Sequence, residues 1–396
     1  MNLSLEQTYP LHSLENDPKT MKRIQMALKK SKELDQAENM DLASQMFRYN
    51  ECSHSYWNPE PFSLLYGTYL WDQSSQKQKI ILNQLYWVAY YSQIISAEIA
   101  TIFFNQTSAA ALYGIEDFRS VCDTLDLESA QERAHIHAFK KVSEELEFSL
   151  FGERIFTYPM RTPFVKTMLY SDLSQFQQWW RKNQLRLYTV LSSNSAFIGC
   201  QYFTVRGLRT LNGKIVQHQL SKYYTEHTNR EAAPIPAKIS YYHFMDESFH
   251  FNTSTVISHD VVNNLPSPNK WEAEVANMTL LGCQKDHFNF STAINGIFWY
   301  DPALYPQIYK VLRSPVFGMD KETALLTMEK SFCEESAGAL ASAETHSEAV
   351  DSYKAYLADF KYVSAKNKEM KLMSQNSLAR HLRTNRDEFK KFKRTV

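Results

Sequence analysis

The chain has 396 residues, 44% of them hydrophobic, which is enough for one large core or two smaller ones. Lysine and arginine together number 43, as do aspartate and glutamate, so no overall charge attracts nucleic acid or an anionic membrane, and we expect neither as a partner. Only 10 glycines and 13 prolines stand beside 23 tyrosines and 24 phenylalanines, which favours an all-α fold of long helices packed through bulky side chains.

The first 60 residues are polar and mixed, and they contain one predicted helix near "PKTMKRIQMALKKSKEL" (18–34) before the two prolines of "YWNPEPF" indicate a turn. The N-terminus lacks a basic stretch followed by an apolar one, and no later segment has 18 successive apolar residues, so we expect a cytoplasmic protein. Five cysteines lie far apart without a Cys-x-x-Cys pair, which predicts reduced thiols.

The segment 76–112 predicts one long helix that is apolar on nearly every face and is therefore buried. Its only acid is Glu98, near the middle. A buried ionised carboxylate costs several kcal/mol unless it is paired or bound to a metal ion. Glu98 is therefore a candidate metal ligand, although a hydrogen-bonded core residue would explain it as well.

A second helix is predicted over 126–148, and it carries Glu132 and His135 in an E-x-x-H element. Because 34 residues separate Glu98 from Glu132, two antiparallel helices joined by a turn would bring both carboxylates to one level. The possible N-caps of this helix are Asp126 and Ser129.

A third long helix is predicted over 173–208, and the Asn-Gly and Pro-x-Pro signals in 209–236 then indicate an irregular insertion or a small hairpin. The stretch "HFMDESFH" (243–250) follows on another helix, where residues at i, i+4 and i+7 project from one face. That face carries His243, Glu247 and His250. Asp246, beside them, either orients an imidazole or faces outward.

The last third shows helical patterns at 303–313, 320–343 and 347–373, which we expect to buttress the core. The basic end of the chain predicts a solvated or frayed helix. The predicted organisation is a lead-in at 1–60, a helical bundle at 61–262, a buttress of the same domain at 263–375, and a basic tail at 376–396.

Two His/Glu elements and a separate glutamate predict a dinuclear metal site. Ferritin-like four-helix bundles hold two ions through inward glutamates and E-x-x-H pairs on facing helices. Oxygen and imidazole donors suit two iron ions, or one iron and one manganese, and leave positions for O2. We therefore predict a ferritin-like four-helix bundle with additional N- and C-terminal helices. Its predicted ligands are Glu98, Glu132, His135, His243, Glu247 and His250.

The same residues, in the same order, carry a resemblance to a known family. With Glu98, "ERAH" at 132–135 and the His/Glu/His face of 243–250, the chain over about 60–260 resembles the ferritin-like diiron oxygenases related to p-aminobenzoate N-oxygenase. The histidine four residues before the second E-x-x-H glutamate is the most specific element, because the plain ferritin pattern lacks it.

The resemblance implies a fourth helix that donates a further carboxylate, and here the chain departs from the family pattern. No Asp or Glu occurs from Leu173 to Thr225. Either one ligand position is not filled by the protein, or Glu226 or Glu231 supplies the ligand. The segment near the middle of the acid-free stretch offers only Ser192, Ser193, Asn194 and Ser195.

An iron that lacks one anionic ligand attracts an external anion such as chloride. In this respect the chain resembles the dimetal-carboxylate halogenases, which act on fatty acyl chains held by acyl carrier proteins. The resemblance implies an O2-dependent enzyme that transfers chloride to an aliphatic carbon, with the segment from Ser192 to Ser195 as its halide pocket. It does not indicate the electron donor.

Three other functions fit the same residues. They are oxygenation of an amine to a nitro group, hydroxylation, and metal binding or scaffolding by a ferritin-like protein without catalysis. The aromatic stretches "LYWVAYY" and "FIGCQYF" either line an apolar channel or pack the core. The tail from Arg383 to Arg394 is a candidate docking surface for an acidic carrier protein.

Overall fold

The computed structural model describes Leu14 and the ranges 17–114, 118–156, 174–294, 304–375 and 377–396. Most residues of this part of the chain are helical, and no strand occurs in it. The all-α prediction is confirmed. The helices are α1 Pro18–Glu33, α2 Ala37–Met46, α3 Tyr49–Cys52, α4 Tyr69–Gln73, α5 Gln76–Leu112, α6 Arg119–Phe151, α7 Gln175–Asn194, α8 Ala196–Thr225, α9 Ile235–Val256, α10 Lys270–Ile294, α11 Tyr305–Arg313, α12 Lys321–Cys333, α13 Ala337–Leu357, α14 Ala365–Lys368 and α15 Leu378–Lys393.

Helices α5, α6, α9 and α8 pack in a closed ring, each against the next, and α8 closes the ring against α5. This arrangement is consistent with the predicted ferritin-like four-helix bundle. Helix α9 continues into a five-residue π turn, Ile257–Val261.

Helix α5 has the predicted bounds. It begins with a capping box, in which the Ser75 side chain accepts a hydrogen bond from the Gln78 backbone N–H and the Gln78 side chain accepts one from the Ser75 backbone N–H. The helix is buried on most faces, and Glu98 is only 4% exposed.

The predicted start of α6 is wrong, because the helix begins at Arg119, ahead of both predicted caps. The hydroxyl of Ser129 instead donates to the Leu125 carbonyl within the helix, and Asp126 is an exposed helical residue. Residues that favour caps are tolerated inside a helix when they bond the preceding turn or face solvent.

The helix predicted over 173–208 is two helices, α7 and α8. Between them Ser195 has an extended backbone (φ −137°, ψ 114°), and its hydroxyl accepts a hydrogen bond from the Ile198 N–H as an N-cap. The insertion predicted over 209–236 is also wrong up to Thr225, because α8 runs through Asn212 and Gly213. Buried residues beyond that dipeptide, such as Val216 and Leu220, hold the helix in place. They belong to the hydrophobic cluster that also contains Trp87 and Phe139, which we call the main core.

The remaining helices surround the bundle. Helices α1 and α2 pack against α6 and α9, whereas α10 and α13 pack against α8. A Cβ atom at Gly207 of α8 would overlap the Tyr356 hydroxyl of α13, so these helices approach closely because position 207 has no side chain.

The predicted C-terminal boundaries need three corrections. Helix α10 was not predicted, the pattern at 320–343 breaks after Cys333, and the pattern at 347–373 breaks after Leu357. The basic end is helical as predicted, but α15 is docked rather than frayed, because Leu382 and Phe389 are buried against the main core. Across the described ranges, no helix is both long and apolar enough to span a bilayer.

Candidate metal centre

The structure brings the six residues predicted as ligands together inside the bundle. Glu98 comes from α5, Glu132 and His135 from α6, and the remaining three from α9. All six are buried, with exposed fractions between 0% and 9%. The i, i+3 and i+4 spacings on α6 and α9 explain why residues of each helix point the same way.

Four side chains from three helices form the first of two groups, which we call the Glu98 group. Its members are Glu98, His135, His243 and Glu247, and each offers one ligand atom within 4.8 Å of the others. Glu98 Oε1 lies 3.5 Å from His135 Nδ1 and 3.4 Å from His243 Nε2. Two carboxylates and two imidazoles thus converge on one small volume, a ligand set that suits iron or manganese.

The second group, which we call the Glu128 group, consists of Glu128, Glu132 and His250 under the same 4.8 Å limit. Sequence reasoning missed Glu128. A signal was present, because Glu128, Glu132 and His135 repeat on α6 the i, i+4, i+7 spacing of the α9 face. Glu128 is 2% exposed, so it belongs to the interior of the bundle.

The two groups are adjacent, because Glu132 and Glu247 lie between them. Glu132 is 3.4 Å from His135 Nδ1 in one group and 3.4 Å from His250 Nδ1 in the other. Glu247 Oε1 is 3.6 Å from His243 Nε2 and 2.9 Å from His250 Nδ1. These two carboxylates are placed to be shared by neighbouring ions.

Partners on the outer side orient two of the imidazoles. His135 Nε2 is 3.0 Å from Asp246 Oδ2, and the other oxygen of Asp246 accepts a hydrogen bond from the Gln36 backbone N–H at 3.0 Å. His250 Nε2 is 2.9 Å from Gln131 Oε1. Both contacts leave Nδ1 facing the carboxylates, and a carboxylate partner such as Asp246 also makes the imidazole a stronger ligand.

Helix α8 contributes an arginine where the family resemblance implied a carboxylate. The Arg206 guanidinium is 3% exposed, contacts Glu128 Oε1 and lies 3.6 Å from Glu132 Oε1. Asn105 of α5 also donates to Glu128 Oε1, at 2.9 Å. The fourth helix therefore presents a fixed positive charge to the Glu128 group.

The segment from Ser192 to Ser195, predicted as the halide pocket, does not contact the metal-binding groups. Ser192 and Ser193 donate to backbone carbonyls of their own helix, as does exposed Asn194, and Ser195 donates to Glu272 of α10. Ser195 precedes Arg206 by 11 residues, about 16 Å along a helix. The single helix predicted over 173–208 has this segment near its middle, but the helix breaks there between α7 and α8. The assignment of the segment to the site is therefore not supported.

The alternative carboxylates from the chain after α8 are not at the site either. Glu226 and Glu231 are both exposed, and they lie at the end of α8 and in the short 3₁₀ turn that follows it. The additional buried carboxylate near the centre is Glu128 of α6 instead.

Burial and mutual contacts set the charges in the two groups. Burial raises the pKa of Glu98, and the nearby imidazoles of His135 and His243 oppose this shift. Burial also disfavours a charged His135 or His250, yet neighbouring acids raise the pKa of both well above 6.5. Although burial opposes it, the histidines lower the pKa of Glu132 to about 2. Without a cation, the imidazoles hold the protons that a metal ion would displace.

The buried polar atoms of the centre fit a pair of metal ions. Hydrogen bonds are absent from both carboxylate oxygens of Glu98, from one oxygen each of Glu128 and Glu132, and from ring nitrogens of His135 and His243 within the described ranges. Buried polar atoms without partners are costly. Cations between the carboxylates would satisfy them, so the donor set fits the dinuclear site implied by the fold.

Aromatic side chains form a tight wall on one side of the centre. The rings of Tyr91 and Phe139 lie 5.6 and 5.0 Å from the ring of His243, and the Tyr91 hydroxyl is 2.9 Å from Ser240 Oγ. The side chains of "LYWVAYY" are fully buried. The structure therefore assigns this stretch to core packing, which keeps water from the imidazoles.

Comparison with protein families gives a match that spans almost the whole chain. The model of the CylC-like family, described as "Acyl halogenase CylC-like", matches residues 19–393. The chain belongs to this family. No curated protein and no solved structure matches it significantly. The family favours the halogenase branch of the resemblance over the N-oxygenase branch.

Proposed function

We propose that the protein is a dinuclear iron enzyme that replaces an aliphatic C–H bond with a carbon–chlorine bond in a fatty acyl chain carried by an acyl carrier protein. The observation that carries this proposal is the pair of adjacent buried groups, four carboxylates and three histidines, in a chain of an acyl halogenase family.

The overall reaction balances with O2 as oxidant. The C–H bond breaks, a carbon–halogen bond forms from the halide anion, and O2 is reduced to two molecules of water with two electrons from an external donor. Two iron ions, when bound, supply the O2 activation and the oxidising power that removing hydrogen from an aliphatic carbon requires.

The protein's own residues hold and orient this chemistry. The Glu98 group supplies four ligands and the Glu128 group three, while Glu132 and Glu247 lie within reach of both. Asp246 and Gln131 fix the ring orientations of His135 and His250. The apolar wall around Tyr91 and Phe139 excludes water, which would otherwise compete for reactive species.

Arg206 gives the proposal a place for the halide. The Glu128 group has fewer protein ligands than the Glu98 group, and it is the one that lies beside Arg206. An anion that enters there meets both an incompletely coordinated ion and guanidinium N–H donors. We therefore still propose that the missing carboxylate on the fourth helix favours halide binding. The halide would lie beside Arg206 of α8 and not beside the serine segment.

The carrier protein is proposed to dock on the basic face of α15. Leu382 and Phe389 are buried, whereas Arg383 and Lys390, each next to one of them in the sequence, are exposed. Acidic carrier proteins would be attracted to such a face.

Chlorination of a carrier-bound acyl chain tests the function. Metal-free protein is loaded with Fe²⁺, then supplied with acyl carrier substrate, a reductant, O2 and either chloride or bromide, and the acyl chain is analysed by mass spectrometry. We expect chlorine or bromine in the product according to the halide supplied, and no product from Glu247→Ala. Glu226→Ala, which removes an exposed glutamate, is the matched control and should remain active. A product that gains oxygen and ignores halide would instead identify a hydroxylase or N-oxygenase.

A further inference from the structure

The two metal-binding groups differ in what the fourth helix presents to them. The Glu98 group has four ligand side chains and no lysine or arginine among its close ion-pair contacts within the described ranges. The Glu128 group has three ligand side chains, and the Arg206 guanidinium contacts both of its carboxylates.

Arg206 competes with a metal ion for the same oxygen atoms. It contacts Glu128 Oε1 and lies 3.6 Å from Glu132 Oε1, the oxygen that is also 3.4 Å from His250 Nδ1. The guanidinium is held in place, because Asn105 Oδ1 accepts from it at 3.4 Å and Asn105 Nδ2 donates to the same Glu128 oxygen. An ion entering this group must approach a fixed positive charge and share its ligands with it.

The opposite oxygens remain available to an ion. Oε2 of Glu128 and Oε2 of Glu132 are buried and have no hydrogen-bond partner within the described residues. Arg206 therefore weakens the group without filling it. The Glu98 group has no such competitor, and both oxygens of Glu98 lack hydrogen-bond partners.

We propose that Arg206 is a positioning residue that makes the two metal sites unequal, so that the Glu98 group binds its ion tightly and first and the Glu128 group binds the second ion more weakly. This inference rests on the proposed dinuclear function. If Arg206 acts in this way, the Glu128 group exchanges its ion and accepts external ligands more readily. The Glu98 group retains its ion. The electrostatic penalty of one close, buried like charge corresponds to a difference in affinity on the order of tenfold or more.

Titration of metal-free protein with Co²⁺ tests the inequality without measuring catalysis. Co²⁺ is a redox-stable substitute for Fe²⁺, and its binding is followed by visible absorption and by calorimetry. Wild-type protein is expected to bind two equivalents in two steps. His243→Asn should remove the tight step, because His243 belongs to the Glu98 group alone, and Glu128→Gln should remove or weaken the second step alone.

Arg206→Gln addresses the cause of the inequality. It should strengthen the second step by about tenfold or more and leave the first unchanged, so that the two steps merge. Lys222→Gln, in the last turn of the same helix, is the matched control and should leave both steps as in wild type. Circular dichroism melts establish that each variant is folded, and if Arg206→Gln is not, Arg206→Met, which removes the charge but keeps an unbranched side chain, takes its place with the same expected result.

The outcomes separate this inference from the proposed function. Two equal steps in wild type, or a second step that Arg206→Gln leaves unaltered, would overturn this role of Arg206, while two bound ions would still support a dinuclear enzyme. Failure to bind any Co²⁺ would overturn both.

Discussion

Two sets of buried histidines in this chain have opposite electrostatics. In the bundle, His135, His243 and His250 each lie within 3.6 Å of a carboxylate, and their pKa values are raised although burial opposes the charge. In the C-terminal part, His346 and His381 are buried as well, but burial lowers both pKa values.

The difference lies in the partners and not in the depth of burial. His346 Nε2 is 3.1 Å from the Met373 carbonyl, and His381 Nε2 is 3.4 Å from the Asn385 amide. Neither partner carries a negative charge that would offset the cost of burying a charged imidazole, so burial decides the direction of both pKa shifts. Among these five buried histidines, only the three with carboxylates beside them belong to a group that could hold a metal ion.

The largest expected effect follows from removing a carboxylate shared by both groups. Glu132→Ala should abolish binding of at least one ion and reduce halogenation by about 100-fold or more, because this side chain contacts histidines of both groups. Metal content by elemental analysis and product formation measure the loss. His346→Gln is the control in the other histidine set and should retain full metal content, and equal loss in both variants would show that the two sets do not differ as described.

A smaller effect is expected from the charged partner of His135. Asp246 accepts from Gln36 N–H with one oxygen and contacts His135 Nε2 with the other, so an asparagine would have to turn an NH2 group towards one of two donors. Asp246→Asn should weaken metal binding by about 10- to 100-fold. Competition with a chelator of known affinity measures this change. Unchanged affinity would mean that the contact only packs α2 against the bundle.

Local patterns made much of this site predictable. The bounds of α5 and the faces of α6 and α9 follow from apolar periodicity and from i, i+3 and i+4 spacing within single helices, and these are properties of the sequence itself. The three-dimensional meeting of those faces followed from the order of the elements in a four-helix bundle.

Long-range contacts account for what could not be predicted. Arg206 looks like any helical arginine in the sequence, and only the fold brings it to Glu128, from which it is separated by 78 residues of chain. Likewise α8 continues through an Asn-Gly dipeptide because its later residues, including Leu220, are buried against the core. In both cases the deciding contacts join residues that lie far apart in the sequence.

A pH-dependent loss of stability is expected from His381. Its folded-state pKa is lowered by burial to about 4, below the usual 6.5, so the unfolded chain takes up a proton first as the pH falls. Its contribution is complete above about pH 6.5 and is lost towards pH 4, amounting to about 2 kcal/mol between pH 7 and pH 5. Urea unfolding of wild type and His381→Gln at both pH values measures it, and a pH dependence that is identical in the two proteins would contradict a neutral His381.

The smallest expected effect on metal binding follows from removing Gln131, the neutral partner of His250, whereas the partner of His135 is the carboxylate of Asp246. Gln131 Oε1 lies 2.9 Å from His250 Nε2, and the Ser31 hydroxyl donates to the same oxygen at 3.4 Å. Loss of a neutral hydrogen bond costs about 1 kcal/mol, so Gln131→Leu should weaken binding of the second ion about fivefold, less than Asp246→Asn weakens binding at His135. Co²⁺ titration of both variants gives this ranking. If Gln131→Leu had the greater effect, the position of the partner and not its charge would determine how strongly each imidazole binds, because both partners contact Nε2 at nearly equal distances.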